Sequence, residues 1–139
     1  MIETPFVATD GIIKLYDKDK NFKGLVFISR KNPPLGIALP GGFVDIGEKV
    51  EDALLREMEE EVCLEVKIEK LLGVYSDPKR DDRFHTVSLV YVCKAYGEPK
   101  AADDAKDVYV YDLENLPLEK LVFDHKKIME DFLKDLEEL

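Results

Sequence analysis

Residues 40–64 read PGGFVDIGEKVEDALLREMEEEVCL, and this stretch decides how the chain is understood. Val50, Leu54, Met58 and Val62 recur every four residues with Leu55 beside them, so the spacing predicts an amphipathic helix over 50–63. Between Glu48 and Glu61 the same stretch carries Glu48, Glu51, Asp52, Glu57, Glu59, Glu60 and Glu61 against only Lys49 and Arg56. Glu51 and Asp52 fall in the first turn, where acids favour the helix dipole. Glu57, Glu60 and Glu61 stand three and four residues apart and therefore share a helix face. A solvated acidic face is the ordinary reading of such a run. At 100° per residue, however, Glu57 and Glu61 lie on the margin of the apolar stripe, beside Val50 and Leu54, where a carboxylate is half desolvated and wants a counter-charge.

Two further features point to chemistry. Pro40-Gly41-Gly42 and Gly47 feed the helix, and glycines allow backbone turns that can aim a carbonyl at the acids. Arg56 adjoins the cluster and can hold one carboxylate in place. Several carboxylates with a backbone carbonyl suit Mg²⁺ or Mn²⁺ rather than zinc. A magnesium ion held by few protein ligands keeps waters and binds substrate phosphates. His85 and His125 look isolated and offer no competing constellation.

The whole chain sets bounds on this reading. Its 139 residues suit one domain with a real core, spanning 1–139. Thirty acids against twenty Lys and Arg leave a net charge of −10, which argues against nucleic acid polymers and anionic membranes as partners. The opening MIETPFVATD has no basic start followed by an apolar run, and no apolar stretch is long enough for a bilayer, so the expectation is a cytoplasmic protein with reduced thiols. Cys63 and Cys93 both sit in apolar contexts and read as small core residues.

Along the chain, FVATDGIIKLY (6–16) and KGLVFISR (23–30) read as strands around the turn DKDKN, KNPPLG as a loop, IALP as a short extended piece, and GGFVDIGE as a glycine-broken loop. EVKIEKLLGVYS (65–76) is one or two strands. HTVSLVYVCKAY (85–96) is apolar on both faces in its second half, which suits a central strand. GEPKAADDAKD is a polar loop, VYVYDL (108–113) a last strand, and Asp124 can N-cap a final helix reaching about Glu138. Phe43 reads as a core residue. The order strands, helix, strands, helix implies an α/β sandwich with a mixed sheet.

The opening stretch resembles the Nudix box, in which a glycine, a glutamate, an Arg-Glu-aliphatic triplet, a Glu-Glu pair and a Gly-aliphatic pair stand at fixed spacing. Gly42, Glu48, Arg56, Glu57, Met58, Glu60, Glu61 and Leu64 fall in register, and Cys63 stands where the family has its helix-ending glycine. Beyond the box, DGII, ISRKNPP and ALPGGFVDIGE are similar to small bacterial and archaeal Nudix enzymes, and YSDPKRDDRFHTVSLVY, DDAKD and LVFDHKKIMEDFL look most like the ADP-ribose pyrophosphatase group of the Nudix hydrolases. The resemblance implies a Nudix-like α/β/α sandwich and a Mg²⁺- or Mn²⁺-dependent pyrophosphohydrolase acting on a nucleoside diphosphate derivative. For ADP-ribose the products are AMP and ribose 5-phosphate. It implies Glu57 and Glu61 as principal metal ligands, Glu60 sharing a metal or its water, and the Gly41 carbonyl as backbone ligand. Arg56 would orient a carboxylate and Glu48 would brace the loop through its helix-side contacts, with Gly42 as structural support. Asp103 and Asp104 are the loop acids that relatives use as ligand or general base, with Asp104 preferred. Arg30, Lys31, Arg80 and Arg83 are candidate substrate contacts or solvated cations. Relatives often carry a tryptophan near Ile37; without it, base-stacking rings would come from Phe22, Tyr75, Phe84 or a partner chain. The resemblance also implies a homodimer. An 8-oxo-dGTP or nucleoside triphosphate pyrophosphatase is the alternative within the same chemistry, and a non-catalytic nucleotide-sugar sensor the alternative outside it.

Overall fold

In the computed structural model, residues 1–138 are described; Leu139, the end of the expected domain span, lies outside them. Strands β1 (Phe6–Tyr16) and β2 (Phe22–Arg30) are followed by the short β3 (Ile37–Ala38) and β4 (Gly41–Phe43), helix α1 (Val50–Val62), β5 (Lys67–Tyr75), β6 (Thr86–Tyr96), β7 (Ala105–Tyr111) and helix α2 (His125–Glu137). A single 3-10 turn, Leu118–Lys120, leads into α2. The seven strands form one mixed sheet: β1 runs parallel to β6 along its whole length, and the other pairings are antiparallel.

Alternation along the strands builds two cores. Ile13, Val26, Ile28, Tyr91 and Cys93 face Leu54, Met58 and Val62 of α1, while Ile12, Leu25, Phe27, Val90 and Val92 face Ile128, Met129 and Phe132 of α2. Neighbouring residues on a strand point to opposite faces, so a strand apolar throughout must be covered on both sides. The α/β/α sandwich follows directly, and each fully buried Leu, Ile or Phe contributes about 1.5–3 kcal/mol.

The sheet is split where it matters. β1 and β2 pair only between Lys14–Tyr16 and Phe22–Leu25. Beyond that, the start of β1 pairs β4 through Ala8–Asp10, and the end of β2 pairs β3 and β7. The segment 37–43 is thus a wedge between two diverging strands, and a cavity opens beside it. The glycine-broken loop expected here is in part strand, because Gly41 and Gly42 lack side chains. A Cβ on Gly41 would stand 2.2 Å from Asp10 Oδ1, and one on Gly42 2.2 Å from Glu57 Oε2.

Other expectations are corrected. Cys63 is exposed, and only Cys93 is a core residue. Phe43 is also exposed, packed against Phe6 and Phe84 rather than in either core. Asp124 makes no side-chain cap to α2, because its carboxylate is taken by Arg80. The polar loop ends earlier than expected: β7 starts at Ala105, where it extends the edge of β2.

Candidate active site

Helix α1 begins without a side-chain cap and ends at Cys63, whose backbone is left-handed at φ 57°, ψ 37°. The N–H groups of Cys63 and Leu64 close back on the Glu59 and Met58 carbonyls, the usual termination by a left-handed residue. The next two orphan carbonyls, of Glu61 and Val62, accept from the N–H groups of Ala102 and Lys100 at 2.9 Å each. The end of α1 therefore anchors the loop that carries Asp104.

The acids of α1 divide by depth. Glu60 is exposed, Glu57 is largely covered, and Glu61 is only 5% exposed. Arg56 organises the first two. Its Nη1 donates to Glu57 Oε1 at 2.7 Å and Glu60 Oε2 at 3.3 Å, its Nε to Glu48 Oε2 at 2.8 Å, and its Nη2 to Glu48 Oε1 and the Phe43 carbonyl. Glu48 also accepts the Asp45 N–H, and these bonds hold its carboxyl down at about 2. One guanidinium thus fixes both the loop behind β4 and the carboxylate beneath Gly42.

Glu61 accepts the Gly41 N–H at 2.6 Å and, among the described residues, has no cationic partner. Burial pushes its carboxyl up to about 8 despite that bond, with the charges of Glu57, Asp10 and Asp104 adding to the rise. Burial likewise raises Glu57, against the pull of Arg56. Glu57, Glu61, Asp10 and Asp104, from α1, β1 and the β7 loop, thus lie within electrostatic reach of one another, and of the four Arg56 pairs only Glu57. Among the described residues no three acidic, histidine or cysteine side chains are drawn close enough to chelate an ion as they stand. The donor chemistry nevertheless fits a hard divalent cation, since all are oxygens and their unmet need is positive charge.

The cavity beside the wedge is lined by Ala8, Asp10, Gly41, Gly42 and Glu61 together with Arg30, Arg80, Arg83, Phe123 and His125. About 80 Å³ in volume, it opens beside a cleft of about 410 Å³ that shares Arg80, Asp81, Arg83 and Phe123. Arg30 and Arg83 both lie over the Phe123 ring, at 5.0 and 5.4 Å. Arg83 is paired with Asp81, and Arg80 is buried and forked onto Asp124. Lys31 is exposed and does not line the cavity; its N–H donates to the Asp104 carbonyl.

Sequence reasoning missed Asp10 and His125. Asp10 is buried in mid-strand and accepts from the Ser88 hydroxyl at 2.5 Å. His125 is not isolated: its Nδ1 accepts the Leu39 N–H at 3.0 Å, and its Nε2 lies 4.0 Å from Asp10 Oδ2. Burial lowers its pKa, so it is a neutral imidazole with Nε2–H towards Asp10. An acid inside the apolar run VATDGII was the one available signal for Asp10.

Residues 5–132 match the family described as NUDIX domain. The chain belongs to the Nudix family. It is 50% identical over 133 residues to a protein of Methanocaldococcus jannaschii named ADP-ribose pyrophosphatase, covering 94% of this chain and 74% of that one. Its fold superimposes with a TM-score of 0.85 on a MutT/nudix family protein from Enterococcus faecalis, at 28% identity over 99% of this chain and 64% of that one. A TM-score of 0.81 at 25% identity relates it to a bifunctional NMN adenylyltransferase/ADP ribose pyrophosphatase from Francisella tularensis, complexed with AMP and a manganese ion. The match covers 96% of this Nudix chain and 42% of the Francisella protein. This Nudix protein therefore spans less than two thirds of both structural relatives. Among the described residues no helix is long and apolar enough to cross a membrane.

Proposed function

We propose that this Nudix hydrolase splits the diphosphate of ADP-ribose, releasing AMP and ribose 5-phosphate with the help of Mg²⁺ or Mn²⁺. The observation that carries the reading is the buried Glu61, without an ion-pair partner among the described residues, beside Glu57, Asp10 and Asp104 and lining a cavity with Arg30 and Arg83. The 50% identical relative named ADP-ribose pyrophosphatase supports the substrate. The AMP and manganese held by the Francisella protein support the product and the metal.

Glu57 and Glu61 would hold the cation, with Glu60 and the Gly41 carbonyl completing the protein's share. When bound, it supplies positive charge to offset the charge that builds on phosphorus oxygens during attack. Arg56 keeps Glu57 turned towards Gly42, and Glu48 keeps Arg56 in place. Arg30 and Arg83 meet phosphate oxygens, and Asp104 takes the proton of the attacking water. Water's oxygen bonds one phosphorus while the bond from that phosphorus to the bridging oxygen breaks. Arg80, committed to Asp124, shapes the wall that carries Arg83 and Phe123. A single domain spanning 1–139, a homodimer and a cytoplasmic setting for the two free thiols belong to the same reading; light scattering tests the dimer.

The test is turnover of ADP-ribose against 8-oxo-dGTP with Mg²⁺ or Mn²⁺, coupled to a phosphatase for ADP-ribose. We expect ADP-ribose to be preferred, and Glu57→Gln to abolish turnover with the fold intact. Inactivity on ADP-ribose overturns the substrate reading. Full activity of Glu57→Gln overturns the site.

A further inference from the structure

The cavity wall carries a polar atom that nothing in the protein satisfies. Thr86 is 3% exposed, and its Oγ1 has no hydrogen-bond partner. Among the described residues no other buried side-chain nitrogen or oxygen is left in that condition. An unpaired buried hydroxyl is destabilising, whereas a valine of the same shape would fill the space without that cost. Thr86 also lines the cavity beside the wedge, so a molecule filling that cavity lies against this residue.

The register of β1 and β6 says what lies on either side. Phe6 pairs Thr86, Ala8 pairs Ser88 and Asp10 pairs Val90, so Asp10, Ala8 and Phe6 share one face of the sheet with Ser88 and Thr86. From the start of α2 outwards, that face presents the Asp10–Ser88 hydrogen bond, then small Ala8, then Thr86 level with Phe6 at the edge of an aromatic wall. The wall is Phe6, Phe43 and Phe84, with ring centroids 4.8–5.9 Å apart. Two strand residues span about 7 Å, so Thr86 stands about 7 Å along β6 from Ser88, level with Phe6 at the edge of the wall. The cavity lining thus runs from the carboxylates of Glu61 and Asp10 to the flat ring of Phe43, the two ends a nucleotide needs for its phosphate and its base.

The geometry points to Thr86 as the residue that reads the nucleoside half of the substrate, its Oγ1 hydrogen-bonded to a polar atom of a nucleoside laid between Asp10 and the Phe6–Phe43–Phe84 wall. The inference rests on the ADP-ribose reading above. A threonine hydroxyl both donates and accepts, so it can meet a sugar hydroxyl or a base edge of that half. The ribose 5-phosphate half then falls to the neighbouring cleft under Pro33, Pro34 and Lys79.

Thr86→Val and Thr86→Ser test this, with turnover of ADP-ribose, calorimetric binding of AMP and of ribose 5-phosphate in Mg²⁺, and melting of the free protein. One neutral hydrogen bond lost corresponds to about a tenfold change. Thr86→Val is expected to raise the KM for ADP-ribose and the Kd for AMP about tenfold, to leave ribose 5-phosphate binding unchanged, and to melt no lower than wild type. Thr86→Ser is expected to restore both constants. A wild-type Kd for AMP in Thr86→Val, a loss confined to ribose 5-phosphate, or a lowered melting point overturns the inference. Wild-type protein inactive on ADP-ribose overturns the substrate reading instead, and the AMP titration still judges Thr86.

Discussion

Replacing Glu61 by Gln should make the metal-free protein more stable while removing its response to metal. Glu61 is almost wholly buried, and its carboxyl rises from 4.5 to about 8. An acid whose pKa is raised on folding binds its proton more tightly in the folded state. Stability therefore falls as pH climbs from 4.5 to about 8 and is level above that. At about 1.4 kcal/mol per pH unit, the charged carboxylate costs the folded state roughly 4 kcal/mol at pH 8. Glutamine carries no charge, keeps an oxygen for the Gly41 N–H, and turns its amide hydrogens towards the neighbouring acids. In EDTA at pH 8, Glu61→Gln should melt on the order of 10 °C above wild type, and at pH 4 the two should coincide. Added Mg²⁺ should raise the wild-type melting point and leave the variant unmoved. The measurement is a melting series from pH 4 to 9 with EDTA or Mg²⁺. A variant no more stable than wild type at pH 8, or a gain that persists at pH 4, refutes the argument that buried charge at Glu61 is what the metal relieves.

Three other outcomes follow from neighbouring geometry. Gly42→Ala puts a methyl 2.2 Å from Glu57 Oε2, so the carboxylate or β4 must move; thermal melting should show a loss of about 1–3 kcal/mol, and turnover should fall at least tenfold. Cys63→Gly relieves a left-handed residue at φ 57°, and urea unfolding should show a gain of about 1 kcal/mol with activity unchanged. Arg56→Lys keeps the charge but cannot bridge Glu48, Glu57 and the Phe43 carbonyl at once; kcat should fall more than tenfold, with KM for ADP-ribose changed much less.

The period-four stripe of Val50, Leu54, Met58 and Val62, the alternating strands around it, and the spacing of Gly42, Glu48, Arg56, Glu57, Glu60 and Glu61 were all readable from the chain. They were readable because helix and strand periodicities are local, and because two carboxylates on the edge of an apolar stripe betray themselves by angle alone. Even the discordant Cys63 could be located in advance, although the structure was needed to show that it adopts the left-handed turn a glycine would take. What the sequence could not determine is which distant residues share that space. Asp10 joins the acids of α1 because β1 leaves β2 after three paired residues and admits the wedge 37–43. His125 arrives from a helix 86 positions away to brace Leu39, and Asp124 is diverted from its cap to hold Arg80. Phe43 is drawn out of the expected core by Phe6 and Phe84, and Thr86 is left unpaired at the floor between them. Each of these depends on strand register and on the split in the sheet, which pairing across the chain decides and no local pattern records.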